Sequence, residues 1–238
     1  MIPFIQSREG RERLLHGYVR YLEVERHASP YTLRNYTHDL RHSLEFLNAQ
    51  KVVSLEEVDR HLLRRYIASL QEAGLGKASV ACKMSALRTF FRYLVQEKII
   101  SANPLLAVSS PKLDKRLPSF LSNEEVTRLL QTPDAVTPQG QRDRGILELF
   151  YASGLRVSEM ASLDLSNVDL EAREIRVWGK GSKERVVLMG QSAASAIKLY
   201  LGEGRKKLLD KSRGEALFIN RYGKRLSERS LQKIISSY

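Results

Sequence analysis

The sequence predicts two domains: an all-α domain of four helices, then an α+β domain, mostly helical with a small antiparallel sheet. Three observations carry this reading. Apolar residues recur every three or four positions through four segments of residues 1–108. Ser109 to Pro118 then has two prolines, four charges and no periodicity, and reads as a linker. Beyond it the period shifts towards two in Glu174 to Trp178 and Glu184 to Met189. The expected boundaries are 1–108 for the helical domain, 109–119 for the linker and 120–238 for the second domain.

The elements follow in order. Arg8 to Arg26 forms a first helix with Leu14, Leu15, Tyr18, Tyr21 and Leu22 on one side. Ser29-Pro30 starts a second, because serine caps exposed amides and proline fits the first turn. Its apolar positions are Leu33, Tyr36, Leu40, Leu44 and Leu47; its other face carries Arg34, His38, Arg41 and Glu45. Ser54 and Glu57 have capping-box spacing before a third helix with Val58, Leu62, Tyr66 and Leu70. Gly74-Leu75-Gly76 ends it. A fourth, about Ser79 to Lys98, buries Val80, Met84, Leu87, Phe91 and Leu94 and stops at Asn103-Pro104.

In the second half, Ser122 and Glu125 make another capping box, opening a helix to about Leu130. Arg142 to Ala152 is a strongly apolar helix ended by Gly154, and a short helix starts near Val157. The two strands are joined by Gly179 to Lys183. A helix covers Ser192 to Leu201, Ala216 to Ile219 is a short strand, and Glu228 to Ile235 is a final helix.

Charge points to the partner. Basic residues number 39 against 27 acidic, a net charge of +12. Such an excess concentrates polyanions, and phosphate contacts dominate nucleic-acid binding. The excess is shared, +5 over residues 1–110 and +7 over 111–238, so both halves can face one polyanion. One cysteine, Cys82, leaves no internal disulfide or cysteine metal cluster. No apolar run reaches membrane length and no signal peptide is visible. Cytoplasmic placement without membrane contact is the expectation.

Two motifs carry chemistry. In Gly154-Leu155-Arg156-Val157-Ser158-Glu159 an arginine sits at a helix-to-helix corner, where a guanidinium can grip two phosphate oxygens with help from helix amides. Glu159, three residues on, can orient it; by spacing alone the pair reads as a surface salt bridge. In the turn, Gly179 and Gly181 flank Lys180. A lysine at such a tip can reach a DNA groove, or give a proton to a leaving oxygen; the ordinary reading is a solvated basic turn. The phosphate-binding P-loop pattern fails, since position 174 is Glu and the segment lies between strands.

The segment GLRVSEMASLDLSNVDLEAREIRVWGKGSKERVVLMG, residues 154–190, resembles the first catalytic box and β-hairpin of Xer-type tyrosine recombinases. ASPYTLRNYTHDLRHSLEFL (28–47) and KASVACKMSALRTFFRYLVQEKIISANPL (77–105) are similar to that family's core-binding domain. The resemblance covers nearly the whole chain in order and spacing.

It implies that Arg156 holds the scissile phosphate, Lys180 is the general acid for the leaving 5′ oxygen, and Glu159 supports Arg156. It implies metal-free, cofactor-free chemistry through a 3′-phosphotyrosine on double-stranded DNA. Four subunits would act on two duplexes, with a partner recombinase or an activating cell-division protein as further partners, and chromosome-dimer resolution as the role. DNA contacts are expected from Thr32, Arg34 and Arg41 on the second helix, Lys83 and Arg88 on the fourth, and Lys183 and Arg185 of the hairpin.

The family's His-x-x-Arg box, second His or Trp, and nucleophilic tyrosine are expected beyond this chain. All five histidines, His16, His27, His38, His42 and His61, lie in the helical half. The catalytic domain is therefore expected to be incomplete at its C-terminus, and the chain alone to bind DNA without cutting it. Tyr238 is expected to be a helix residue facing the missing part rather than the nucleophile. The alternatives are a non-catalytic DNA-binding relative, a mobile-element integrase or, more remotely, a transcriptional regulator.

Overall fold

The computed structural model describes residues 7–109, 111–112, 119–179, 184–209 and 214–238. The chain divides into two compact units, Met1–Leu117 and Pro118–Tyr238.

Among the described residues, the first unit is built on four α-helices. Helix α1 (Arg8–Val24) is capped by Ser7, whose hydroxyl accepts the Gly10 amide at 2.9 Å. Helix α2 (Pro30–Ala49) begins as its serine and proline dictate, with Ser29 accepting from the Thr32 amide. Helix α3 (Arg60–Glu72) starts later than the Ser54–Glu57 spacing predicts. Ser54 instead caps a single 3-10 turn, Leu55–Glu57, and Glu57 accepts the Val53 amide. Val58 is extended and buried in the core, which breaks the helix there. Asp59 then caps α3, accepting the Leu62 amide at 2.8 Å, a bond that holds its carboxyl below the ordinary value.

Helix α4 (Lys77–Gln96) starts at Lys77, two residues earlier than expected, with Gly76 at the cap position. It is the central element: Val80, Met84, Leu87, Phe90, Phe91 and Leu94 are all buried. Tyr18 packs edge-on against Phe90 at 5.3 Å, and its hydroxyl donates a hydrogen bond to the Ala86 carbonyl. One correction concerns α3, where Leu63 and not Leu62 is fully buried. Most of the expected linker lies outside the described residues.

The second unit opens with α5 (Asn123–Gln131), whose Ser122–Glu125 capping box is complete in both directions. Helix α6 (Pro138–Ser153) begins four residues before the expected Arg142. Thr137 caps it and Pro138 fits its first turn, the device that also opens α2. Its polar start is buried, which hid it from a search for apolar periodicity. Arg142 binds Asp143 and the Ile219 carbonyl, and Gly140 packs against the Asp134 backbone. Gly154 ends α6 in the left-handed region, at φ 58°.

Helix α7 (Val157–Ser162) leads through a 3-10 turn to β1 (Val168–Asp169), β2 (Glu174–Trp178) and β3 (Glu184–Leu188). The sheet is antiparallel in the order β1-β2-β3. Ile175, Val177 and Val187 join the core with Met160 and Leu163, while Arg176, Trp178, Val186 and Leu188 of the opposite face are exposed. Helix α8 (Gln191–Leu199) runs through a π-helical stretch, Tyr200–Gly204, into α9 (Arg205–Leu208). The expected strand over Ala216 to Ile219 is two isolated bridges, Asp164 with Ala216 and Ile219 with Arg225. Side chains complete the pairing there: the buried Arg205 donates to the Ala216 carbonyl, and Tyr200 accepts the Ile219 amide. Helix α10 (Glu228–Ser237), capped by Ser227, ends the chain.

Candidate DNA-phosphate site

The corner between α6 and α7 positions the arginine of the first motif. With α6 ended at Gly154, Arg156 takes an extended backbone (φ −71°, ψ 151°) as the residue preceding α7. Glu159, one turn on, accepts the Arg156 amide at 2.9 Å on Oε2 and its Nη1 at 3.0 Å on Oε1. This is not a surface salt bridge. The Glu159 side chain is 5% exposed, whereas Arg156 is 71% exposed, so a fixed anion holds an otherwise open guanidinium. Since α7 runs only six residues, the capacity to hold an anion rests on that guanidinium and not on helix amides.

A third group completes the arrangement. Arg185 of β3 forks onto Glu159, Nη1 to Oε1 and Nη2 to Oε2, both at 2.9 Å. These bonds, with those from Arg156, outweigh burial and pull the Glu159 carboxyl down to about 2. Sequence reasoning placed Arg185 among the DNA contacts; the structure aims it at Glu159. The missed signal was strand alternation, since Arg185 shares its phase with Val187 and lies opposite the buried Val177.

The remaining expected contacts are differently placed. Lys180 and Lys183 lie outside the described residues. In the helical unit, the Thr32 hydroxyl lies 3.0 Å from Ser29 Oγ at the α2 cap. The Arg34 guanidinium sits over the Tyr31 ring at 5.2 Å. Arg41 lies 3.6 Å from Glu12, a pair with both partners exposed. Lys83 has a structural occupation: 12% exposed, it binds Asp39 of α2 at 2.8 Å. Arg88 is part-buried and donates to the Val108 carbonyl at 2.9 Å. The Tyr238 hydroxyl donates to Asp143 Oδ2 at 3.1 Å, and its side chain stays partly exposed.

Residues 119–238 match the model of the phage integrase family, and residues 15–98 that of the phage integrase N-terminal SAM-like domain. The chain is 42% identical over 231 residues to the tyrosine recombinase XerC of Pelotomaculum thermopropionicum, covering 93% of this chain and 76% of that protein. This chain belongs to the tyrosine recombinases. XerC of Bacillus pumilus is 41% identical, with 95% and 75% covered, and XerD of Staphylococcus aureus is 36% identical, with 94% and 76% covered. Among solved structures, a lambda integrase tetramer bound to a Holliday junction has the same fold, with a TM-score of 0.72 at 19% identity, covering 95% of this chain and 64% of that one. The Tn1549 transposon integrase in complex with circular intermediate DNA gives 0.67 at 16%, covering 94% and 78%. The recombinase fold thus comprises the SAM-like helical domain and the catalytic domain with its three-stranded sheet.

Proposed function

We propose that this chain supplies the DNA-binding domain and the phosphate-holding part of a Xer-type site-specific recombinase that resolves chromosome dimers. The observation that carries the reading is an exposed Arg156 guanidinium anchored from below by the buried, ionised Glu159.

In this mechanism Arg156 grips the non-bridging oxygens of the scissile phosphate and stabilises charge on the five-coordinate transition state. A tyrosine hydroxyl attacks phosphorus; the new bond is a 3′-phosphotyrosine and the bond to the 5′ oxygen breaks. Lys180, between β2 and β3 in the sequence, gives that oxygen its proton. A 5′ hydroxyl of another strand reverses the step. The nucleophile and the histidine box are not among this chain's assigned residues. The chain alone is therefore proposed to bind duplex DNA without cleaving it.

The names of the relatives support recombinase chemistry. The lambda integrase tetramer on a Holliday junction supports a four-subunit synapse, with a second recombinase or a cell-division protein as candidate partners. Thr32, Arg34 and Arg41 on α2, with Lys183 of the hairpin, are the proposed further DNA contacts. Lys83 and Arg88 act there by holding α4 to α2 and to Val108. A nucleoid-associated cytoplasmic location follows from this activity.

The test has two stages. The 238-residue chain selects duplexes from a random-sequence pool, and the enriched site is made as a nicked substrate. The recombinase extended by its His-x-x-Arg and tyrosine segments should then form a covalent DNA adduct. Arg156→Ala should abolish it and Lys180→Ala should reduce it by about 10²–10⁴-fold, the usual worth of a general acid. Normal cleavage by either variant would overturn the role assigned to that residue.

A further inference from the structure

Arg185 has both ends of its guanidinium fork on Glu159, so its geometry is that of a support and not of a free DNA-binding arm. The Glu159 carboxylate takes four donors: on Oε1 the Nη1 groups of Arg156 and Arg185, on Oε2 the Arg156 amide and Arg185 Nη2. Each oxygen is thereby filled, and a 5%-exposed carboxylate with filled lone pairs has no second orientation to adopt.

The charge count matters as much as the geometry. Glu159 and Arg156 alone make a neutral pair, in which the anion cancels the cation that is to meet a phosphate. Adding Arg185 leaves the three groups with one net positive charge. The group with most access to solvent is Arg156, at 71%, against 40% for Arg185. Arg185 is also carried on β3, while Glu159 and Arg156 belong to the α7 corner. The same fork therefore ties the hairpin to the arginine corner.

We propose that Arg185 is a positioning residue: it neutralises and fixes Glu159 so that the full charge of Arg156 is presented to DNA phosphate, and it couples the β2–β3 hairpin to that arginine. This rests on the reading that Arg156 meets a phosphate. A residue that acts through Arg156 has a signature that a direct DNA contact or a bystander lacks: its effect on DNA binding disappears when Arg156 is gone.

The test is a double-mutant cycle on the 238-residue chain, using fluorescence anisotropy with a 30-base-pair duplex across a salt series. Each phosphate neutralised contributes about one unit to the slope of log affinity against log salt. Arg185→Gln should lower the slope by about one unit when Arg156 is present and by nothing in the Arg156→Ala background. Arg185→Lys, which keeps the charge without the fork, should retain the slope. Equal losses in both backgrounds would mean that Arg185 touches DNA itself, and no loss in either would mean that it has no part in binding; both overturn the proposal. If Arg185→Gln does not fold, a slope for Arg185→Lys reduced to that of Arg156→Ala also overturns it.

The recombinase reading is judged separately, by whether Arg156→Ala alone changes the slope. If it does not, Arg185 is judged by the Arg156 Nη resonances of the labelled chain without DNA. Slow guanidinium rotation in the wild type and free rotation in Arg185→Gln is the expected result. Unchanged rotation would overturn the positioning role.

Discussion

Replacing Glu159 with Gln removes one buried charge while keeping the shape of the side chain, and its effect follows from the titration of the carboxyl. In the folded chain that group titrates at about 2 instead of the reference 4.5, chiefly because Arg185 donates to it, with Arg156 adding to the effect. At about 1.4 kcal/mol per pKa unit, the gap sets a ceiling of about 3 kcal/mol. Arg156 and Arg185 both reach solvent, and screening there reduces the figure to about 1–2 kcal/mol. Because the folded-state value is depressed, the unfolded chain takes up this proton first as pH falls. The stabilisation is therefore complete above about pH 4.5 and fades as pH drops towards 2. The assay is urea unfolding followed by the fluorescence of Trp178, the sequence's one tryptophan, which sits on β2 and reports on the second unit. Glu159→Gln should be less stable than wild type by about 1–2 kcal/mol at pH 7, with the two converging below about pH 4. A gap of the same size at pH 3 and pH 7, or none at pH 7, would refute the assignment of the carboxylate as an ionised anchor.

Three further outcomes are expected. Gly140→Ala should destabilise the second unit by about 1–3 kcal/mol, because the new methyl runs into the Asp134 backbone; the same urea assay reads it. Phe91→Ala removes a fully buried ring from the helical core and should cost about 3–5 kcal/mol, measured by circular dichroism during denaturation. Tyr200→Phe should cost about 1–3 kcal/mol, because the buried Ile219 amide loses its acceptor. Burial lifts the Tyr200 hydroxyl to about 12, so the wild type should keep its full stability below about pH 10 and lose it as pH rises through about 12.

Much of the fold was legible because its causes are local. Ser29-Pro30, the Ser122–Glu125 box and Gly154 each place a helix boundary through bonds within a few residues, and the structure puts those boundaries there. The three-and-four spacing of Leu14 to Leu22 and Val80 to Leu94 picked out residues that are buried. Alternation found β2 residue for residue. The failures share a cause. The start of α6 is polar yet buried, because Arg142 and Asp143 satisfy each other and Arg142 also donates to the Ile219 carbonyl, a partner 77 positions away. Ala216 to Ile219 is apolar and extended, but isolated bridges and the side chains of Arg142, Arg205 and Tyr200, not a continuous ladder, complete its pairing.

The candidate site divides in the same way. The sequence by itself determined that Arg156 and Glu159 lie one turn apart at a helix corner, since i,i+3 proximity is a property of the helix alone. It also determined an excess of positive charge in both halves, and the strands β2 and β3 that pair on either side of residues 180–183. Only the tertiary structure decided that Glu159 is buried and ionised, that Arg156 is open to solvent, and that Arg185 is turned inwards. Arg185 and Glu159 are 26 residues apart, and their meeting depends on the tertiary fold that brings the Arg185 side chain of β3 to Glu159 of α7. No local pattern encodes that distance, because it is set by the shared core of Ile175, Val177, Met160 and Leu163 beneath them.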